Sequence, residues 1–152
     1  MVITDLLERN ARLYKDEVAL VEVNPVEEYQ KTATWKEANL IELAEDGTPL
    51  RREITWREFD SKANRFANLL LSRGIHRETK VGILLMNCIE WLPIYFGILK
   101  AGCIAVPMNF RYSSDEIKYC ADLADVEVLV FGPEFIERID AVANDMPFIK
   151  IM

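Results

Sequence analysis

The side chains able to do chemistry are few and scattered. They are three cysteines (Cys88, Cys103, Cys120), one histidine (His76), and a polar pair, Asn109 and Arg111, in Pro107-Met108-Asn109-Phe110-Arg111-Tyr112. A thiol becomes a nucleophile where nearby positive charge or a helix N-terminus depresses its pKa. Neither Cys103 nor Cys120 has such a flanking pattern, so both read as inert, buried thiols. Odd in number and without a CxxC pair, the cysteines fit a reducing compartment better than a disulfide frame or a zinc site. His76 lies in the polar run Gly74-Ile75-His76-Arg77-Glu78 with no Ser or Cys near it in sequence. A general base must reach the proton it takes, so His76 reads as a solvent-facing loop residue. Phosphate binding needs clustered backbone N–H groups that small residues leave accessible. With six glycines, the chain has no GxGxxG and no GxxxxGK[ST]. Asn109 and Arg111 first suggest loop-to-backbone hydrogen bonding and a helix cap.

These residues need elements to position them, and Val81 to Asn109 is the organising stretch. Val81 to Met86 is a continuous apolar run, the pattern of a strand buried on both faces. Asn87 reads as an N-cap, with Glu90 placed to complete a capping box, and the helix runs to Ala101. Pro93 conflicts with that start and predicts either a kink or a later first turn. Gly102 suits a left-handed cap, Ile104 to Val106 makes the next strand, and Pro107 stops it. Trp91, Leu92, Ile94, Tyr95, Phe96, Ile98 and Leu99 leave no polar face, which predicts a helix buried all round.

Upstream, Thr4 is the expected cap of a first helix, and Val18 to Val23 reads as a strand closed by Asn24-Pro25. Between Val26 and Glu53, Leu40-Ile41-Glu42-Leu43 alternates and Asp46-Gly47-Thr48-Pro49 has turn chemistry. Arg52 to Thr55 is expected to pair back as a hairpin, and Tyr29 and Trp35 read as packing residues. Thr55-Trp56-Arg57-Glu58 matches a capping box that starts a helix. Its apolar face is Phe59, Ala63, Phe66, Ala67 and Leu70, with Asp60, Lys62, Asn64 and Asn68 off it, and Gly74 ends it. Further on, Ser113 or Ser114 caps a helix through Ala124, Val126 to Phe131 is a strand, and a helix spans about Glu134 to Ala143. Phe148 to Ile151 begins a fourth strand. Apolar runs recurring at near-regular spacing with helices between them predict an α/β fold, a parallel, doubly wound sheet reading βαβαβαβ from Val81 onward.

Composition narrows the function. At 152 residues and 51% hydrophobic, the chain can bury a single-domain core. A net charge of −7 argues against a nucleic-acid or anionic-membrane surface and reads as a solvated exterior. Trp91 to Leu99, the longest apolar run, is too short for a bilayer, which takes about 20 residues. Met1 to Leu7 has no signal-peptide core, so the expectation is a cytoplasmic protein.

Two segments carry a family resemblance. Leu99-Lys100-Ala101-Gly102-Cys103-Ile104-Ala105-Val106-Pro107-Met108-Asn109 resembles the LKAGxxxVPxN segment of the adenylate-forming enzymes. Ile54-Thr55-Trp56-Arg57-Glu58-Phe59 is similar to that family's (L/Y)TYxEL motif, with Trp for Tyr and Phe for Leu. The resemblance covers most of the chain from about Thr4. It implies that residues 1–152 are an N-terminal subdomain of the family's large domain: residues 1–54 a helix, strand and hairpin region, and residues 55–152 a capped helix with βα units. In this family a shorter connection often stands where residues 26–53 do, so that stretch looks elaborated.

The implied parent is an AMP-forming acid–CoA ligase, its motifs closer to fatty-acyl ligases than to peptide-synthetase domains, where Asp commonly replaces Asn109. Such a ligase joins a carboxylic acid to ATP as an acyl-adenylate and then passes the acyl group to CoA, with Mg²⁺ offsetting phosphate charge. The family's phosphate loop, YGxTE-like motif, ribose-binding Asp, hinge and C-terminal Lys have no counterpart in residues 1–152. No catalytic, cofactor-binding or metal-binding residue is therefore carried over. Beside the loop-and-cap reading, Asn109 and Arg111 could support an acyl or CoA site completed by other parts. The expected partner is the remainder of the ligase. Alone, the chain is expected to be inactive and to self-associate through uncovered apolar surface. The rival is a stand-alone α/β interaction module derived from such a ligase.

Overall fold

The computed structural model describes residues 2–23, 45–47 and 50–149. Helix α1 (Ile3–Leu13) begins with Val2 at the cap rather than Thr4. Asp5 sits three residues into the helix and its Oδ2 accepts the Val2 N–H at 3.1 Å, so Thr4 is drawn into the first turn. Strands β1 (Val18–Val23) and β2 (Arg51–Thr55) form an antiparallel pair, Leu20 opposite Ile54 and Val23 opposite Arg51. Thus β2 pairs with β1, about thirty residues away. Residues Leu40 to Leu43, Asn24-Pro25, Tyr29, Trp35 and Thr48-Pro49 lie outside the described residues, whereas Gly47 takes φ +80° as a turn glycine does.

Helix α2 (Trp56–Ser72) starts where its capping box places it. The Glu58 N–H donates to Thr55 Oγ1 at 3.2 Å, and the Thr55 N–H donates to Glu58 Oε2 at 2.7 Å. Donation from the Thr55 backbone and hydroxyl holds the Glu58 carboxyl below its ordinary value. That contribution is present at neutral pH and is lost as pH falls through the lowered value. Phe59, Ala63, Ala67 and Leu70 are buried, and Phe66 is half-buried. The helix ends in a Schellman turn at Gly74 (φ +74°), with the Ile75 N–H on Leu70 C=O at 3.1 Å.

Strand β3 (Lys80–Leu84) is the centre of a parallel sheet ordered β4-β3-β5, with β4 at Ile104–Pro107 and β5 at Val128–Phe131. Alternation along β3 divides the core in two. Val81 and Ile83 join Val128, Ala67, Leu70 and Ile98 beneath α2 and α3. Leu84 joins Leu129, Val126, Ile117, Phe135 and Ile139 beneath α4 (Ser114–Leu123) and α5 (Ile136–Asp140). The sheet is therefore wound on both faces. A third cluster, with Leu7, Ile54, Phe59, Ala63 and Ile89, fastens α1 and the β1–β2 ribbon to α2.

Helix α3 (Trp91–Lys100) begins later than an Asn87 cap would have it, with Glu90 at the cap position. Pro93 then falls in the first turn, where a missing N–H costs no intrahelical bond. The far end closes as its glycine requires: Gly102 has φ +77°, and the Cys103 N–H meets Ile98 C=O at 3.1 Å. All-round burial of α3 does not hold. Pro93, Gly97 and Ile98 are buried, Leu92 is exposed, and the other apolar residues are half-buried because α2 and the sheet cover only part of the circumference.

Pro107 closes β4 opposite Ile83, tolerated because β4 is an edge strand among the described residues. Ser113, not Ser114, caps α4, with Glu116 completing the box. β5 begins at Val128, two residues after the expected start, and the single helix expected after it is a composite. A 3₁₀ turn (Pro133–Phe135), α5 and a second 3₁₀ turn (Ala143–Asp145) follow one another. Phe148 and Ile149 are not in a strand, and the rest of the expected fourth strand lies outside the described residues.

Thr55→Ala is expected to destabilise the chain by about 1 kcal/mol through loss of the cap. Gly102→Val should cost more, about 2 kcal/mol, because a β-branched residue resists positive φ. A Cβ there would also lie 3.1 Å from Arg77 Cγ. Denaturant midpoints of the two variants, in that order, check both.

Candidate functional site

In open parallel sheets ligands bind beyond the carboxyl ends of the strands. Three loops meet this description: residues 85–90 after β3, 108–113 after β4, and 132–135 after β5. The loop after β3 is tied to the β1–β2 ribbon. Arg52 Nη2 donates to Glu90 Oε1 at 2.5 Å while Nη1 reaches Glu22 Oε2 at 3.3 Å. Glu22 is only 8% exposed. Burial would raise the Glu90 carboxyl, but Arg52 outweighs it and holds the group below its ordinary value.

The loop after β4 carries Asn109 and Arg111, and its hydrogen bonds are spent on its own shape. Asn109 Oδ1 accepts the Arg111 N–H at 2.9 Å, and Asn109 C=O accepts the Tyr112 N–H at 3.0 Å. The Arg111 guanidinium lies 5.4 Å from the Phe110 ring centre. From α5, Arg138 Nη1 donates to Phe110 C=O (2.9 Å) and Tyr112 C=O (3.1 Å), pinning the loop from outside. After β5, the Gly132 N–H is bound to Leu84 C=O at 3.1 Å. A Cβ at Gly132 would collide with the Glu134 carboxylate, so that negative group lies against the one glycine of these loops.

That geometry tests a phosphate fit, and the described residues fail it. A phosphate approaching Gly132 would meet a carboxylate, and the Gly132 N–H is already taken. Among the described residues no group of three or more His, Cys, Asp or Glu side chains could hold a metal ion. His76 is exposed. Cys103 is buried, which pushes its thiol up, and its Sγ lies 3.4 Å from His76 C=O. Cys120 is half-buried rather than buried, as is Cys88.

One polar constellation escapes local sequence reasoning. Lys100, in the last turn of α3, has a side chain only 8% exposed, with Nζ 2.9 Å from both Asp60 Oδ1 on α2 and Glu8 Oε1 on α1. Asp60 was expected off the buried face, but α3 packs over it. A lone lysine on a helix without a polar face was the available signal, since a buried cation needs a counter-charge. The triad joins the two segments that carry the resemblance, Lys100 within 99–109 and Asp60 directly after 54–59. Both therefore have a structural task. Beside the triad, a cleft of about 490 Å³ between α1 and α2 is lined by Arg12, Arg57 and Arg65 along with Glu8 and Asp60.

Residues 7–151 match the family model of AMP-binding enzymes. The medium/long-chain-fatty-acid–CoA/3-oxocholest-4-en-26-oate–CoA ligase of Mycobacterium tuberculosis (strain CDC 1551 / Oshkosh) is 35% identical over 120 residues, covering 74% of this chain and 22% of the relative. The crystal structure of the anthranilate CoA ligase AuaEII in complex with anthranoyl-AMP superposes with a TM-score of 0.73 at 26% identity, over 98% of this chain and 24% of that one. A Mycobacterium tuberculosis fatty acyl CoA synthetase shares the fold at TM-score 0.73 and 21% identity, over 98% of this chain and 25% of that one. The chain thus spans between a fifth and a quarter of the length of these three proteins.

Proposed function

Because the chain belongs to the AMP-binding enzyme family, we propose that it is the N-terminal portion of an AMP-forming acid–CoA ligase acting on a fatty or related carboxylic acid. The match across residues 7–151 carries this reading, supported by the ligases among the relatives. In that reaction the carboxylate displaces pyrophosphate from ATP, and the CoA thiol then takes the acyl group and releases AMP. ATP, Mg²⁺ and CoA would be held by parts of the ligase outside this chain, since the loops described here do not fit a phosphate. Residues 1–152 contribute the scaffold, in which the Lys100 triad ties α1, α2 and α3 together and the Arg52 and Arg138 anchors fix the strand-end loops. No catalytic, cofactor-binding or metal-binding role is assigned to any of them. Among the described residues no helix is long and apolar enough to cross a membrane, and we place the ligase in the cytoplasm.

Acid-dependent ATP–pyrophosphate exchange tests the proposal. The protein encoded by the uninterrupted reading frame is expected to exchange with a panel of fatty acids and to form their CoA thioesters. The 152-residue chain alone is expected to give no exchange above a no-protein control, and to self-associate through uncovered apolar surface. An inert longer protein would reject the ligase reading and favour an interaction module. Exchange by residues 1–152 alone would reject the assignment of catalysis to other parts.

A further inference from the structure

We propose that the cleft between α1 and α2 binds a small soluble polyol or sugar phosphate, its phosphomonoester group held by Arg12 and Arg65. The cleft shares no lining residue with the strand-end loops. It stands as a site whether or not the longer protein is a ligase.

On a chain of net charge −7, this cleft gathers three guanidiniums. Arg57, Ser61 and Arg65 recur at four-residue spacing, as do Asn64 and Asn68, which lays them along one stripe of α2. Arg12, in the last turn of α1, lines the other side. The nearby carboxylates are already engaged. Glu8 and Asp60 each lie 2.9 Å from Lys100 Nζ, and Asp16 is paired with Arg57. Among the described residues Arg12 and Arg65 form no ion pair, and both are exposed. The negative end of α1 accounts for a cation at Arg12. Nothing local accounts for Arg65, which sits in mid-helix. The residues three and four positions from it, Ser61, Lys62, Asn68 and Leu69, include no carboxylate.

These uncommitted donors set the class of the ligand. Each guanidinium offers five N–H groups in a planar fork, and the two together carry two positive charges. A carboxylate answers with one charge and two oxygens. A phosphomonoester brings a charge of about −1.5 to −2 at pH 7 and three acceptor oxygens, which matches the pair. Arginine meets such oxygens two at a time. At about 490 Å³ the cleft falls within the range of small-molecule sites, about 300–1,000 Å³, so it has room for more than the anion. Its walls are polar, and the Ser61 hydroxyl and Asn68 amide suit a hydroxylated body rather than an acyl chain. The N-terminus of α2 takes no part. Its Trp56 and Arg57 N–H groups donate to Glu17 and Lys15 C=O at 3.1 and 3.2 Å, so side chains must hold the anion.

Calorimetric titration of the 152-residue chain with glycerol 3-phosphate, against sodium chloride of equal ionic strength, tests the proposal. One site is expected, with a dissociation constant of about 1 mM or tighter. Arg12→Gln and Arg65→Gln should each weaken it about tenfold or more, and Arg65→Lys, which keeps the charge without the fork, should recover part of the loss. Arg9→Gln, on α1 but outside the cleft, should bind as the parent does. Glycerol 3-phosphate should also raise the denaturation midpoint of the parent and not that of Arg65→Gln. Binding that does not saturate, or that falls equally in Arg9→Gln, would overturn the proposal. Binding to phosphatidic acid vesicles with none to glycerol 3-phosphate would assign the arginines to a lipid surface and also overturn it. The protein encoded by the full reading frame should show the same dependence on Arg12 and Arg65, and its absence there would mean that the cleft is covered. A longer protein that makes CoA thioesters without this site would keep the ligase reading alone, and one that binds the phosphate but makes no thioester would keep the site alone.

Discussion

Lys100→Met is expected to destabilise the chain by about 3 kcal/mol, the scale on which removing one member of a buried ion pair acts. The lysine side chain is 8% exposed and that of Asp60 is 19% exposed, so water replaces the lost ammonium at Asp60 only in part. Asp60 Oδ1 is itself buried, and among the described residues no donor other than this ammonium meets it. Glu8 is half in solvent and contributes much less. The cost is thus mainly that of a partly buried carboxylate left without its cation, the Asn64 amide alone still donating to its Oδ2 at 3.0 Å, and it follows that Lys100→Met with Asp60→Leu should recover most of the loss. Urea midpoints of the parent, the two single variants and the double variant close the cycle. If the double variant is no more stable than Lys100→Met, the pair is not what holds these helices.

The same pair sets a pH dependence. Burial opposes the charge on Lys100, but the Asp60 and Glu8 carboxylates outweigh it, and the folded-state pKa lies above the ordinary lysine value. A group whose pKa is raised by folding contributes fully below its unfolded value, about 10.4, and loses that contribution as pH climbs through the folded one. The stability gap between the parent and Lys100→Met should therefore be constant from pH 7 to 9 and narrow at pH 11.

Local chemistry was legible in the sequence, and long-range pairing was not. Thr55 and Glu58 satisfy one another within a single turn, as do Ser113 and Glu116, so the starts of α2 and α4 can be read from spacing alone. Gly74 and Gly102 end their helices through backbone conformations that glycine allows at no steric cost. Asn109 bonds two residues ahead, again within reach of a local reading. In contrast, the pairing of β2 with β1 rests on the core beneath Ile54, which joins Leu7, Phe59 and Ile89 from distant parts of the chain. Asn87 resembled a cap in isolation, but Pro93 fits only a helix that begins after it. The composite helix keeps Phe135, Ile139, Val142 and Met146 at helical spacing in the core although its backbone alternates between 3₁₀ and α turns. Burial pattern therefore outlasted helix type. Lys100 and Asp60 meet across forty residues, and nothing in the periodicity of either helix announces the other.

The second large effect lies where α2 and α3 cross. Gly97 is buried in the middle of α3, in ordinary helical conformation. Propensity alone predicts that alanine would stabilise this position by up to about 1 kcal/mol. Contact geometry predicts the reverse. A Cβ on residue 97 would lie 2.8 Å from the Ala63 carbonyl oxygen and 2.8 Å from Phe66 Cβ. The first of these is backbone, fixed in the hydrogen-bond ladder of α2, so no rotamer change relieves it and the helices must separate. Overpacking of this kind costs about 1–3 kcal/mol, and separation also strains the Lys100–Asp60 contact one turn away. Gly97→Ala is therefore expected to destabilise by about 2 kcal/mol net of propensity, and Gly97→Val by more, since branching adds crowding to a lower helix preference. Truncating Phe66 should not rescue Gly97→Ala, because the carbonyl clash remains. Chemical denaturation of Gly97→Ala, Phe66→Ala and the double variant decides the matter. A stabilised Gly97→Ala would mean that the two helices are not held at this distance, and that the seam beneath the paired motifs is looser than their contact implies.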